Sequence, residues 1–171
     1  VDRDSQPPPS PAMRAAAERG IWLHALFERL PSVAPSQRRA TALSWLERSA
    51  GIVDAARREE IALAALGVIE DPAYAELFAP DGLAEAPIAA TLPDGRVVAG
   101  TVDRLIVRDD VVRVVDFKTG RALPAAEADV PTYHRTQMEA YAKALGVIFP
   151  GRRIEASLLY TSGPRLIELG G

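Results

Sequence analysis

The chain has 171 residues, 48% of them hydrophobic and 25% charged, with a net charge of -3 and no cysteine. That size and apolar content suit one globular domain, and the missing thiols exclude disulfides, thiolate zinc sites and iron-sulfur clusters, leaving histidine and carboxylates as ligands for a hard, oxygen-preferring metal. No run approaches the roughly 18 consecutive apolar residues of a membrane span, and no signal layout opens the chain, which reads as a cytoplasmic protein without membrane contact.

Residues 1–11 place Pro7, Pro8, Pro9 and Pro11 among polar residues and read as an extended, solvated linker. Position 1 is Val rather than Met, so a piece of a longer protein is expected, with residues 12–171 as its domain. From 12 to about 30, Ile21, Leu23, Leu26, Phe27 and Leu30 recur at helical spacing, and Pro31 stops the run. Further helices are expected over 36–49 and 54–69, with a shorter one around 72–78. Residues 87–92, 97–107 and 111–117 are rich in Val, Ile and Leu and are separated by Pro93-Asp94-Gly95 and Asp109-Asp110, the pattern of a three-stranded meander. A helix over 132–145 and a last strand over 153–160 follow. The fold class is α/β, a mixed sheet of about four strands flanked by helices, with extra helices at the N-terminal end.

The acidic residues of the second and third strands carry the chemistry. A two-residue turn centred on Asp109 and Asp110 pairs Asp103 with Asp116 across the hairpin. Opposed strand residues have Cβ atoms about 4.5 to 5.5 Å apart, so two carboxylates there oppose folding unless one is protonated or a cation lies between them. Lys118, two residues beyond Asp116, shares its face. Val111, Val112, Val114, Val115 and Phe117 mark a buried central strand in which Asp116 and Lys118 are hard to explain as surface residues. Such a group suits phosphodiester hydrolysis, with carboxylates for Mg²⁺ and a lysine beside the reacting water. The alternative is a buried Asp-Lys ion pair with a structural role only. Gln137 and Tyr141, four apart, share a helix face that either leans over the strand ends or belongs to the core. His24, taken alone, reads as a core histidine. Arg38-Arg39, Arg57-Arg58 and Arg152-Arg153 are either DNA contacts or solvated surface, because a chain of net negative charge needs local arginines, or delivery by a partner, to hold a polyanion.

Taken in order, Gly-Thr-Val-Asp-Arg-Leu at 100–105, Val-Asp-Phe-Lys-Thr-Gly at 115–120 and Gln-Met-Glu-Ala-Tyr at 137–141 resemble the nuclease motifs of the RecB and AddA branch of the PD-(D/E)XK superfamily. Arg-Gly-Ile-Trp-Leu-His at 19–24 resembles that branch's Arg-Gly-x-x-x-His segment, and the tail from Phe149-Pro-Gly to Gly163-Pro-Arg-Leu resembles AddA nuclease domains in particular. The likeness spans residues 14–169. It implies a restriction-endonuclease-like core, with His24, Asp103, Asp116 and the backbone carbonyl of Phe117 as metal ligands. It further implies Lys118 as the catalytic lysine, Gln137 and Tyr141 as the Gln and Tyr motif, and Glu85 as an acidic position ahead of the first strand. Mg²⁺, with Mn²⁺ as a substitute, is the implied cofactor. Single-stranded DNA is the implied substrate, delivered by a helicase region preceding Val1 and an AddB-like subunit, in an enzyme that processes double-strand break ends for recombination. Phe-Lys-Thr-Gly in place of a commoner Tyr-Lys-Thr-Asn is a conservative departure.

Three other readings are weighed. Lys118-Thr-Gly is also a β-lactamase element, but no serine has a lysine three residues on, and the phosphate loop of an ATP site is likewise missing. A nuclease fold that has lost catalysis and only binds DNA or a partner is separated from an enzyme by metal-dependent cleavage. A domain active only within a larger assembly would cut once its partner is supplied.

Overall fold

The computed structural model describes residues 7–170. Three helices open the fold: α1 (Pro11–Arg29), α2 (Arg38–Arg48) and α3 (Ala55–Ile69). Pro11 is the first residue of α1 rather than the last of a linker, because proline's fixed φ suits a helix start and the Ser10 side chain accepts a hydrogen bond from the Met13 N–H. The proposed linker is thereby shortened; residues 1–6 lie outside the described residues. The helix expected over 72–78 reduces to a single 3-10 turn, Pro72–Tyr74, capped by Asp71.

Five strands follow in one sheet: β1 (Leu83–Thr91), β2 (Val97–Val107), β3 (Val111–Lys118), β4 (Arg153–Tyr160) and β5 (Arg165–Leu169), in the spatial order β1-β2-β3-β4-β5. All neighbours are antiparallel except β3 and β4, which run parallel because α4 (Thr132–Ile148) carries the chain back between them. The fifth strand is the departure from the expected four. Its five residues include two charged ones, too short a run to stand out, yet Ile167 is buried against the α4 side.

The sheet buries both faces. One packs on α1 to α3, where Leu26, Phe27, Leu46 and Ile61 meet Ile106, Val115 and Phe117; the other packs on α4, where Met138 and Leu145 meet Val112, Val114 and Leu158. β3 is apolar on both sides for this reason. No helix among the described residues is long and apolar enough to cross a membrane.

Two interruptions of the sheet position the site. The β2–β3 ladder has the expected register, with Leu105 opposite Val114 and Arg104 opposite Val115, and it ends there, one pair short of Asp103 and Asp116. The β1–β2 ladder skips the pair Glu85 and Asp103 between Ala86↔Val102 and Ala84↔Arg104, and Glu85 has φ +48°. At this break the in-out alternation slips. Val102 and Leu105 both face α4 although three positions apart, whereas an unbroken strand returns to a face only at even intervals. Arg104 turns to the opposite side, where it is buried and donates to the carbonyls of Leu77 (2.7 Å) and Ala79 (2.8 Å), fixing the loop that enters β1.

Candidate functional site

The interrupted pair collects the acidic side chains. α1 brings His24 to it: Leu23, Leu26 and Phe27 are buried and leave His24 half-buried at the margin, its ring edge-on to Phe117 at 5.9 Å. One turn earlier, a Cβ on Gly20 would lie 2.6 Å from Thr119 Oγ1, so glycine lets α1 rest closely on the residue that follows β3. His24 Nδ1 is 3.3 Å from Asp103 Oδ1, while Asp103 Oδ2 accepts the Phe117 N–H at 2.7 Å. Ligand atoms of His24, Glu85 and Asp103 all lie within 4.8 Å of one another. Glu85 therefore stands inside β1, not ahead of it, and its left-handed backbone turns it to face Asp103.

Asp116 is not one of that trio. Its Oδ2 holds Lys118 Nζ at 2.6 Å on the face the two-residue period assigns them, and both side chains are 20% exposed. Burial raises the Asp116 carboxyl, and its hydrogen bond to Asp103 and the Asp103 charge raise it further; Lys118 opposes both, and the result is a pKa of about 7. Burial acts to raise Asp103 as well, but hydrogen bonds from His24, Asp116 and the Phe117 amide outweigh it and hold that carboxyl below its ordinary value. Of the pair, Asp116 is thus the more readily protonated and Asp103 the more readily ionised. His24 shows the complement. Burial lowers it, yet its hydrogen bond to Asp103 and the charges of Asp103, Asp116 and Glu85 leave it raised. Glu85 is raised by burial and then by Asp103 and Glu28.

Gln137 and Tyr141 lie on α4, and Gln137 Nε2 donates to Tyr141 Oη at 3.3 Å. Tyr141 presses on the start of the Gly-Thr-Val-Asp-Arg-Leu run: a Cβ on Gly100 would sit 2.6 Å from its hydroxyl. Among the described residues, neither side chain hydrogen-bonds to Asp103, Asp116 or Lys118.

A model of the PD-(D/E)XK nuclease superfamily matches residues 2–167. The chain belongs to that superfamily. A search of curated proteins finds no match. Among solved structures, the crystal structure of SSO0001 overlaps 88% of this chain and 76% of that one, at 14% identity and a TM-score of 0.40.

PD-(D/E)XK nucleases typically use divalent metals, and the donor set here fits one. Two carboxylates and an imidazole converge within 4.8 Å, the neighbouring Asp116 carboxyl is raised by burial and then by Asp103, and the chain has no cysteine. The arginine pairs contribute less than their charge suggests. Arg38 donates to the carbonyls of Leu30 and Val33, Arg58 to those of Ile52 and Val53, and Arg152 to that of Arg108, while Arg39 pairs with Glu59 and Arg153 with Glu155. Arg57 lies over the Trp22 ring. Two residues that sequence reasoning passed over also lie beside Lys118. His134 and Tyr160 line a cavity of about 500 Å³ together with Phe117 and Lys118, and burial, then the Lys118 charge, keeps the His134 imidazole below its ordinary pKa. His134 lies three residues before Gln137, a spacing without a signal of its own.

Proposed function

We propose that this chain is a divalent-metal-dependent deoxyribonuclease domain of an AddAB-type helicase-nuclease. The observation that carries this reading is the convergence of His24, Glu85 and Asp103 within 4.8 Å beside the Asp116–Lys118 pair. His24, Glu85 and Asp103 would hold Mg²⁺ or Mn²⁺, with Asp116 and the Phe117 carbonyl completing the set. A bound divalent ion supplies positive charge and Lewis acidity at the phosphodiester. The protein's own groups do the rest. Asp103, held below its ordinary pKa, would meet the ion as an anion; Asp116 would lose its proton to solvent on joining the set; and Lys118, beside Asp116, would present an ammonium to the reacting water and to the charge that develops on phosphorus. Gln137 and Tyr141 contact the strand alongside. The full enzyme would process DNA ends for recombination, with an AddB-like subunit and a helicase region feeding single strands to this domain.

Cleavage of labelled single-stranded DNA in Mg²⁺ or Mn²⁺ tests the reading, with Asp116→Ala, Lys118→Ala and EDTA as controls. Metal-dependent cutting lost in both variants is expected. A folded wild type that neither cuts nor binds metal by calorimetry would sink the catalytic reading and leave a silent module that holds DNA or a partner.

A further inference from the structure

Among the described residues Arg104 is the one charged side chain that is buried, at 3% exposure. Its guanidinium donates to carbonyls rather than to a carboxylate, while Asp81 acts on it from further off and pairs with Arg108. A buried cation that meets neutral acceptors is costly where an apolar side chain would fill the same space. What the guanidinium adds is direction, because its planar fork fixes two acceptors at once.

The fork grips the segment that leads into β1. Phe78, between the two bonded carbonyls, has its ring centroid 5.9 Å from Arg104 Cζ and stacks on Phe117 at 5.7 Å, which presses the segment onto the α1 side of the sheet. A Cβ on Gly82 would lie 3.0 Å from both Nε and Nη2 of Arg104, so the guanidinium rests against bare backbone one residue before β1. Within the sheet, Arg104 follows Asp103 and stands opposite Ala84, the residue before Glu85. Residues paired across a ladder share a face, so Ala84 is carried to the Arg104 side, although Ala86 and Val102 both face α4. β1 must change phase between Ala84 and Ala86. Glu85 absorbs the change at φ +48°, a conformation that is strained for a residue with a side chain.

We propose that Arg104 is a positioning residue for the metal site: it holds this reversal in place, keeps Glu85 turned toward Asp103 and His24, and so sets the affinity for a divalent ion. The role rests on the metal reading above for Glu85 as a ligand. Without the fork, β1 relaxes to unbroken pairing with β2, Glu85 adopts extended backbone, and the trio loses a carboxylate.

The test is Mn²⁺ affinity together with the backbone at Glu85. Electron paramagnetic resonance of free Mn²⁺ would measure binding to the full chain, and the Cα and Cβ chemical shifts of Glu85 would report its backbone in metal-free protein. Arg104→Met and Gly82→Ala, each checked for folding by circular dichroism, should weaken Mn²⁺ binding by about tenfold, the scale set by residues that orient a metal ligand. Both should move the Glu85 shifts from left-handed toward extended values. Arg104→Lys, which retains a donor, should recover part of the affinity. Leu145→Ala, a truncation in the core beneath α4, should lower Tm and leave both readouts unchanged. Glu85→Ala combined with Arg104→Met should bind no more weakly than Glu85→Ala alone. Wild-type affinity and Glu85 shifts in folded Arg104→Met, or losses that add in the double variant, would overturn the role. Glu85 shifts that move in a protein whose wild type binds no Mn²⁺ would retain the positioning while the metal reading fails, and Mn²⁺ binding indifferent to Arg104 would do the reverse.

Discussion

Without metal, the acidic pair should make the protein less stable as pH rises, and Asp116→Asn should remove that dependence. The Asp116 carboxyl is displaced from 3.8 to about 7, chiefly by burial and then by Asp103. A carboxyl whose folded pKa is raised binds a proton that the unfolded chain has already released, so stability falls as pH climbs from the unfolded value through the folded one. At about 1.4 kcal/mol per pH unit the full displacement corresponds to at most about 4 kcal/mol, of which about 3 kcal/mol is lost between pH 5 and pH 8. His24, also raised, contributes in the same direction over its own titration, whereas the lowered Asp103 matters only at pH below the ordinary carboxylate range. Urea unfolding in EDTA at pH 5, 6, 7 and 8 measures this. The wild-type midpoint should fall by about 1 to 2 M over the series, and that of Asp116→Asn should stay nearly flat apart from the His24 share. Mg²⁺ should stabilise the wild type more at pH 8 than at pH 5, because the ion then replaces the proton. Parallel pH profiles for the two proteins would refute the placement of the proton on Asp116.

Gly100→Ala should destabilise by about 1 to 3 kcal/mol through the contact of its Cβ with Tyr141, read as a lower midpoint in urea. Adding Tyr141→Phe should restore only part of it, since Cε1 and Cζ remain 3.1 and 3.2 Å from that position. Arg104→Met leaves the Leu77 and Ala79 carbonyls without their donor, and a loss of about 3 kcal/mol, or about 6 to 12 °C in Tm by calorimetry, is expected. An unchanged Tm would remove Arg104 from its role in fixing the entry to β1.

Much of the site was legible because period and turn chemistry suffice for hairpins. Asp109-Asp110 set the β2–β3 register, and the spacing of Asp116 and Lys118 set their common face, as the 2.6 Å contact between them bears out. The trio's third member was harder to place. Glu85 lies two residues into β1, where a regular strand would aim it by the parity of its neighbours; the break at φ +48° reverses that parity, and no residue type announces it because glutamate is not a usual occupant of left-handed backbone. β5 was missed for its brevity. His134 and Tyr160 were missed because the sequence distance between α4 and the end of β4 hides that both meet beside Lys118.

The same interruption explains why the two aspartates differ although they stand side by side. A regular ladder extended by one more pair would place Asp103 and Asp116 in equivalent positions, both needing neutralisation. Breaking the β1–β2 pairing at Asp103 lets that side chain reach His24 on the α1 side and the Phe117 amide at once, so it alone gathers enough donors to remain ionised under burial. Asp116, still in regular β3, has Lys118 as its one ion-pair partner among the described residues, and its carboxyl stays raised. A local defect in strand pairing thus holds one carboxylate below its ordinary pKa and leaves the other raised by burial, which is the asymmetry a site needs if it is to tolerate being metal-free and still bind a cation when one arrives.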